Sequence, residues 1–93
     1  IKELTINPKS SISLQKHNHR AEHWMITQGR PKITLNKNKF FKKQNETVFI
    51  PTGAIHRIEN FFKKAVKIIE VQTGPILKES DIIRFKDVYG RIK

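Results

Sequence analysis

The sequence contains no cysteine, so disulfide bonds are excluded and any metal must be held by nitrogen and oxygen ligands. No apolar run approaches the roughly 20 residues that cross a bilayer, and no secretory signal is present. We therefore expect a cytoplasmic protein without a membrane partner. The first residue is Ile1 rather than Met, and we interpret residues 1–93 as one domain, a fragment of a longer chain.

Acidic residues are also few, at 8 against 19 Lys and Arg, which gives a formal net charge of +11. This charge favours an anionic partner, either nucleic acid or a small phosphorylated substrate. The lysines are densest between residues 32 and 43, where Phe40 and Phe41 interrupt them. Such a hairpin could bind phosphates and stack bases, or it could be a solvated loop whose lysines protect a strand edge. Because lysines are spread along the whole chain, nucleic acid is the less favoured partner.

Short apolar or alternating runs, separated by turn residues about every 8–12 positions, predict an all-β sandwich or barrel. The residues at 79–85 are ambiguous, since Ser80 could cap a single helical turn in which Asp81 and Arg84 are i,i+3 neighbours. Strands are expected at residues 4–6, 11–19, 24–27, 33–35, 40–41, 47–50, 56–61 and 66–72.

The histidines form the most informative pattern. His17 and His19 lie two residues apart on an expected strand, so their side chains should share a face. That face could be solvated, or the two imidazoles could provide half of a transition-metal site. Glu22 can supply an oxygen ligand, and His56 begins a later strand after a Pro-x-Gly turn. The pattern predicts a divalent metal site suited to Zn, Mn, Fe, Co or Ni.

Two stretches resemble the motifs of the cupin family. Residues 51–60 match the second cupin motif, P-x-G-x2-H-x3-N, at every defined position, and Asn45 holds the place of its leading glycine. Asn tolerates positive φ better than most residues, so this departure is mild. The stretch 17–29 resembles the first motif but has one residue fewer between His19 and Glu22, which leaves His23 as an alternative to Glu22. The resemblance implies a jelly-roll barrel with four metal ligands: His17, His19, Glu22 and His56.

A longer stretch is similar to type II mannose-6-phosphate isomerases. Residues 13–24 resemble the signature S-L-Q-x-H-H-H-R-A-E-H-W, with Asn18 in place of the middle histidine. In that family the cupin is the C-terminal part of a bifunctional enzyme that also has mannose-1-phosphate guanylyltransferase activity. The nucleotidyltransferase part is absent from these residues, so no guanylyltransferase chemistry is assigned to them. Further matches lie at residues 50–53, 56–60, 68–74, 81–85 and 89–91.

The resemblance implies the interconversion of mannose 6-phosphate and fructose 6-phosphate for sugar-nucleotide and polysaccharide synthesis. This reaction needs an electrophile for the enediol oxyanion, a base for the carbon-bound proton and a cation for the phosphate. Glu70 interrupts an apolar strand, where its carboxylate is either the base or solvent-facing. Candidate catalytic or phosphate-anchoring residues are Arg20, Arg84 and Arg91, and candidate substrate-binding residues are Gln15, Asn45 and Arg57.

The runner-up interpretation is a metal-containing cupin that binds a sugar phosphate without turnover. A homodimer formed through edge strands is a further expectation. The sequence does not identify the native metal.

Overall fold

The computed structural model describes residues 1–78 and 80–85, and the regular elements within these residues are all β-strands. The strands are β1 (Lys2–Ile6), β2 (Gln15–Lys16), β3 (Ala21–Gln28), β4 (Lys32–Leu35), β5 (Asn38–Phe41), β6 (Thr47–Ile50), β7 (His56–Glu59), β8 (Val66–Thr73) and β9 (Ile83–Arg84). They form a four-stranded sheet in the order β1-β8-β3-β6 and a five-stranded sheet in the order β5-β4-β7-β2-β9, with antiparallel pairing throughout. The described residues include no helix that could span a membrane.

The core lies between the two sheets, and it is built from the side chains that point inward at every second position of each strand. In β3 the side chains of Glu22, Trp24 and Ile26 point inward, while His23 and Met25 are exposed. Successive side chains of a strand point to opposite faces, so one face of each strand builds the core. The expected all-β barrel of two antiparallel sheets is therefore confirmed. The core residues are Ile6, Trp24, Ile26, Ile33, Val48, Ile50, Ala54, Ile58, Val66 and Ile68.

The strand predicted at residues 11–19 is much shorter than expected. Only Gln15–Lys16 forms β2, and Ser11 makes an isolated pairing with Glu59. The His17 carbonyl accepts the N–H of Gly53 at 2.8 Å, and the chain then bends away from the sheet. The alternation of a strand consequently does not extend to His19.

The helical turn proposed near Ser80 is replaced by strand β9, which pairs with β2. The N–H of Asp81 still makes a local bond to the Lys78 carbonyl at 3.0 Å, but other polar groups of this segment bond to a distant part of the chain. The N–H of Phe85 donates to the Leu14 carbonyl at 2.8 Å, and the Asp81 carboxylate accepts the N–H groups of Asn18 and His19. The segment is thereby held beside the loop that follows β2.

Asn60, the last residue of the second cupin-like motif, ties β1 to the loop between β7 and β8. Its side chain is buried, and its amide nitrogen donates to the carbonyls of Ile6 at 3.1 Å and Lys64 at 2.8 Å. Its carbonyl oxygen accepts the N–H of Phe62 at 3.0 Å. The motif position is thus structural, because one buried side chain satisfies buried and partly buried backbone groups of two separate segments.

Replacing Asn60 with Ala leaves several of these groups without partners. We expect Asn60→Ala to lower the free energy of unfolding by about 2–4 kcal/mol, measured by chemical denaturation. Asn38→Ala, at an exposed position of β5, is the matched control and should change it by less than about 0.5 kcal/mol. Equal effects of the two substitutions would contradict the structural role of Asn60.

Candidate metal centre

Three of the predicted metal ligands meet inside the barrel. His17 follows β2, Glu22 lies in β3 and His56 begins β7, so the cluster joins the two sheets. One ligand atom from each residue lies within 4.8 Å of the others, and all three side chains are buried. The Nε2 atom of His17 is 3.1 Å from Oε2 of Glu22.

Hydrogen bonds set the tautomers of both histidines. Nδ1 of His17 bonds to the Asp81 carbonyl, and Nδ1 of His56 bonds to the Ala54 carbonyl at 3.0 Å. A carbonyl can only accept, so each Nδ1 carries a proton, and Nε2 is the atom that offers a lone pair when the ring is neutral. Burial lowers the pKa of His56, which favours the neutral ring. Neutral imidazoles whose second nitrogen is anchored in this way are well suited to bind a metal.

The carboxylate of Glu22 is held from both sides. Nε1 of Trp24 donates to Oε1 at 3.0 Å, while Nε and Nη2 of Arg20 lie 3.1 and 3.0 Å from Oε2. His23 points to the other face of β3 and packs on Phe49 with ring centroids 4.7 Å apart. The geometry therefore brings Glu22, and not His23, to the two histidines.

These residues fit a divalent ion. Ligand bonds of about 2.0–2.1 Å at right angles place two ligand atoms about 3 Å apart, which matches the 3.1 Å between His17 Nε2 and Glu22 Oε2. Nη2 of Arg20 lies 3.2 Å from the same nitrogen and 3.0 Å from the same oxygen. The guanidinium and a metal ion would thus compete for these two atoms. The cluster can hold a metal, and its ligand types do not select one element.

His19 lies apart from the cluster. Its side chain is 52% exposed, and its Nδ1 is 3.1 Å from Oδ1 of Asp81. The expectation that His17 and His19 share a face is wrong, because the chain has left the strand between them. Although burial raises the pKa of Asp81, its bonds to the backbone and ring of His19 and to the Asn18 N–H hold it below the ordinary value. His19 helps to fix the loop around His17 through this carboxylate.

A cavity of about 180 Å³ extends from the cluster and contains four more predicted residues: Gln15, Arg20, Glu70 and Arg84. Glu70 lies on β8 and is buried, with Nε2 of Gln72 donating to Oε2 at 2.6 Å. Burial raises the pKa of the Glu70 carboxyl, and the nearby Glu22 adds to that rise against the opposing bond from Gln72. Glu70 therefore faces the cavity and not solvent. The remaining lining residues are Lys2, Leu4, Ile12, His17, Glu22, Trp24, His56 and Ile82.

Two predicted substrate-binding residues do not line this cavity. Asn45 lies in the loop between β5 and β6 with φ of +75°, and its N–H donates to the Ile26 carbonyl. Its role is conformational, as expected of a residue at a glycine position. Arg57 follows His56 in β7, so its side chain points to the opposite face, where Nη2 lies 3.7 Å from Glu59 Oε1. Arg91 lies outside the described residues.

Sequence reasoning missed the residues that orient the predicted ones. Asp81 anchors the loop that carries His17, and Gln72 donates to Glu70. Gly74 allows this loop to approach β8, since a Cβ there would lie 2.4 Å from the His19 carbonyl oxygen. Asp81, Gln72 and Gly74 all fall within segments that match the family. That match was the only indication in the sequence, and it assigns no role to any of the three residues.

A larger groove, of about 410 Å³, lies on the outer face of the four-stranded sheet. His23, Met25, Phe49 and Val71 line it, and all four are exposed. It has no ligand cluster among the described residues, so its greater volume does not make it the candidate site.

The two antiparallel sheets around a buried histidine–glutamate cluster define the chain as a cupin. The cupin domain of Cnp3 from Schizosaccharomyces pombe has the same fold, with a TM-score of 0.75 over 78% of this chain and 50% of that chain at 20% identity. At this identity the likeness concerns the fold alone.

The particular family follows from sequence. The model of the family described as "Mannose-6-phosphate isomerase C-terminal" matches residues 1–87, and the chain belongs to this family. "Alginate biosynthesis protein AlgA" of Pseudomonas putida is 46% identical over 91 residues, which are 98% of this chain and 19% of that protein. "Mannose-1-phosphate guanylyltransferase ManC" of Salmonella typhimurium is 41% identical over 92 residues, which are 99% of this chain and 19% of that protein. The family predicted from residues 13–24 is thus confirmed, and the chain spans about one fifth of the length of these relatives.

Metal uptake distinguishes the three clustered residues from His19. We expect His17→Ala or His56→Ala to abolish stoichiometric binding of Zn or Mn, because each removes one of three donors. His19→Ala is the matched control and should weaken binding by less than about tenfold, the low end of losses for outer partners of ligands. Isothermal titration calorimetry of chelator-stripped protein provides the measurement. Retention of one bound ion in both the His17 and His56 variants would refute the site.

Proposed function

We propose that this chain catalyses the metal-dependent interconversion of mannose 6-phosphate and fructose 6-phosphate. The observation that carries the proposal is one cavity containing three kinds of group: the His17–Glu22–His56 cluster, the buried Glu70 carboxyl and the guanidinium groups of Arg20 and Arg84. These correspond to the electrophile, base and anion-binding groups that an aldose–ketose isomerisation requires. Family membership supports the same reaction.

Glu70 is the proposed base. In the direction from mannose 6-phosphate, its carboxylate takes the proton from C2 and returns it to C1 of the enediol, while the hydroxyl proton of O2 passes to O1, so that C2 becomes the ketone carbon. Burial raises the pKa of its carboxyl, and a pKa closer to neutrality makes the carboxylate a stronger base. The bond from Gln72 at 2.6 Å fixes the direction of the carboxylate.

The two arginines bind the anionic parts of the substrate in this proposal. Nη1 of Arg20 is buried and has no hydrogen-bond partner among the described residues, so it can donate to a substrate oxygen. Arg84 lines the cavity and is exposed, so its guanidinium can reach a phosphate at the entrance. Arg91 remains a second candidate for phosphate binding, and Gln15 a candidate donor to a sugar hydroxyl.

A divalent ion bound by His17, Glu22 and His56 would supply electrostatic stabilisation of the negative charge that develops on the sugar oxygens. The chain's own contribution is to bury the ligand atoms, fix both imidazole tautomers and exclude bulk water from the cluster. Zn, Mn, Co and Ni are all compatible with this ligand set.

The wider setting is part of the proposal. We infer a cytoplasmic location, a homodimer and a role in sugar-nucleotide synthesis for polysaccharide. A nucleotidyltransferase domain preceding the cupin would account for relatives about five times as long. One of these relatives is named as an alginate biosynthesis protein and another as a mannose-1-phosphate guanylyltransferase.

A binding module without turnover is the second candidate. Such a metal-containing module is supported by the same cavity, because a ligand cluster beside Arg20 and Arg84 is what binding of a sugar phosphate requires whether or not turnover follows. A module of this kind would bind mannose 6-phosphate in calorimetry and form no fructose 6-phosphate with any metal.

Turnover should depend on both the metal and Glu70. We expect chelator-stripped protein to form no fructose 6-phosphate and protein reloaded with Zn, Mn, Co or Ni to form it. Glu70→Gln should lower kcat by about 10²–10⁴-fold while leaving metal binding intact, since it removes a base. Fructose 6-phosphate is quantified in a coupled assay.

Glu3→Gln is the matched control, because Glu3 lies on the neighbouring strand β1 and is exposed. Its kcat should equal that of the unsubstituted chain. An unchanged kcat in Glu70→Gln would exclude Glu70 as the base. Folded, metal-loaded protein without turnover would favour the binding module or a domain that needs its preceding partner.

A further inference from the structure

Three exposed phenylalanines form a cluster on one end of the barrel. Phe41 ends β5, while Phe61 and Phe62 lie in the loop between β7 and β8, and their side chains are 47%, 47% and 41% exposed. The Phe41 ring centroid lies 6.5 Å from that of Phe61 and 6.2 Å from that of Phe62. Single exposed apolar residues are ordinary, whereas a contiguous exposed aromatic cluster indicates an interaction surface.

Cations surround this cluster. The guanidinium of Arg30 lies over the ring of Phe62 at 5.7 Å, and the ammonium of Lys32 lies over the ring of Phe61 at 5.6 Å. Three further lysines, Lys43, Lys63 and Lys64, are close to the phenylalanines in sequence, whereas the ammonium of Lys42 lies over the ring of Phe40 at 5.6 Å instead. We refer to the set as the basic-aromatic end, and it consists of Arg30, Lys32, Phe41, Lys43, Phe61, Phe62, Lys63 and Lys64.

The two carboxylates beside this surface already have partners. Glu46 accepts the N–H of Lys43 at 2.9 Å, and Glu59 lies 3.7 Å from Arg57. Two cations lie over the rings and three more lysines are close to them in sequence, against two carboxylates that already have partners, so this surface carries a net positive charge. Its partner must be anionic and must also accept three apolar rings.

The basic-aromatic end lies at the opposite end of the barrel from the metal centre. Strand β7 begins with His56 at the centre and ends with Glu59, two residues before Phe61. Four strand residues span about 13 Å. A partner bound at this end would leave the cavity of the metal centre open.

The ring geometry distinguishes between anionic partners. Bases of single-stranded nucleic acid stack on open aromatic faces. Here one face of Phe61 and one of Phe62 are covered by cations, and both rings are tilted by 55° or 60° to Phe41. The cluster thus lacks the open, parallel platform that stacking uses.

An anionic bilayer matches both features of the surface. Rings on loop ends can enter the boundary between headgroups and acyl chains, while neighbouring Lys and Arg remain at the level of the lipid phosphates. We propose that the basic-aromatic end docks this chain on membrane surfaces rich in anionic phospholipid. This departs from the sequence expectation of no membrane partner, which rested on the length of apolar runs and addressed spanning alone.

Co-sedimentation with vesicles tests the docking surface. We expect the chain to bind vesicles of equal parts phosphatidylcholine and phosphatidylglycerol, and not vesicles of phosphatidylcholine alone. The double substitution Phe61→Ser and Phe62→Ser should reduce binding by about tenfold or more, because it removes the apolar contacts. Lys63→Gln and Lys64→Gln should each reduce it by about fivefold.

Phe49→Ser is the matched control. Phe49 is 50% exposed, as much as the two loop phenylalanines, but it lies on the outer face of β6. Its substitution should leave vesicle binding unchanged. Metal uptake by each variant shows whether the metal centre at the opposite end of the barrel is intact. A failure of vesicle binding can therefore be distinguished from a failure of the proposed isomerase.

A fluorescent variant gives an independent readout. Trp24, the only tryptophan, is buried in the core, so the emission of a Phe61→Trp variant reports the loop above a fixed background. The emission should shift to shorter wavelength with the anionic vesicles alone. Three results would overturn the proposal: equal binding to both vesicle types, equal loss in Phe49→Ser, or binding of a single-stranded oligonucleotide that depends on Phe61 and Phe62 without vesicle binding.

Discussion

The structure depends on the burial of one carboxylate. Moving an isolated charge out of water is costly unless neighbouring groups compensate for the lost hydration. Glu22 is compensated by the indole N–H of Trp24 and by two guanidinium nitrogens of Arg20, and it lies 3.1 Å from the ring nitrogen of His17. A divalent ion would compensate this charge more strongly. Metal binding at Glu22 would therefore also stabilise the folded chain.

This constraint explains the sequence of β3 and of the loop before it. Glu22 and Trp24 lie two residues apart on the inner face of β3. The strand itself therefore brings the indole N–H of Trp24, the donor, next to the carboxylate of Glu22, the acceptor. Arg20 precedes the strand and folds back over it, and Asp81 holds the adjoining loop in place. The run from Arg20 to Trp24 is therefore a structural unit as much as a family signature.

The parts of the molecule that alternation governs were predictable. Strand β6 has the predicted bounds. The strand predicted at residues 24–27 begins earlier, at Ala21, and the same alternation extended back to that residue turns Glu22 inward. The position of His19 was not predictable, because hydrogen bonds to Asp81, 62 residues away in sequence, end the alternation after Lys16. The same long-range bonds replaced the predicted helical turn with β9. Contacts between distant segments, rather than local propensity, decided both places.

Two buried carboxyl groups in one cavity need different surroundings if they are to have different roles. Glu22 accepts hydrogen bonds from an indole and a guanidinium, so its two oxygens are held in place as candidate metal ligands. Glu70 accepts one bond, from Gln72, and burial raises the pKa of its carboxyl. In active sites, two titratable groups in different environments can have different roles. One keeps a fixed charge, while the other exchanges protons. The contrast arises from neighbouring strands of one sheet, since Trp24 of β3 is paired with Glu70 of β8. The difference between a candidate metal ligand and a proposed base therefore follows from the register in which β3 and β8 pair.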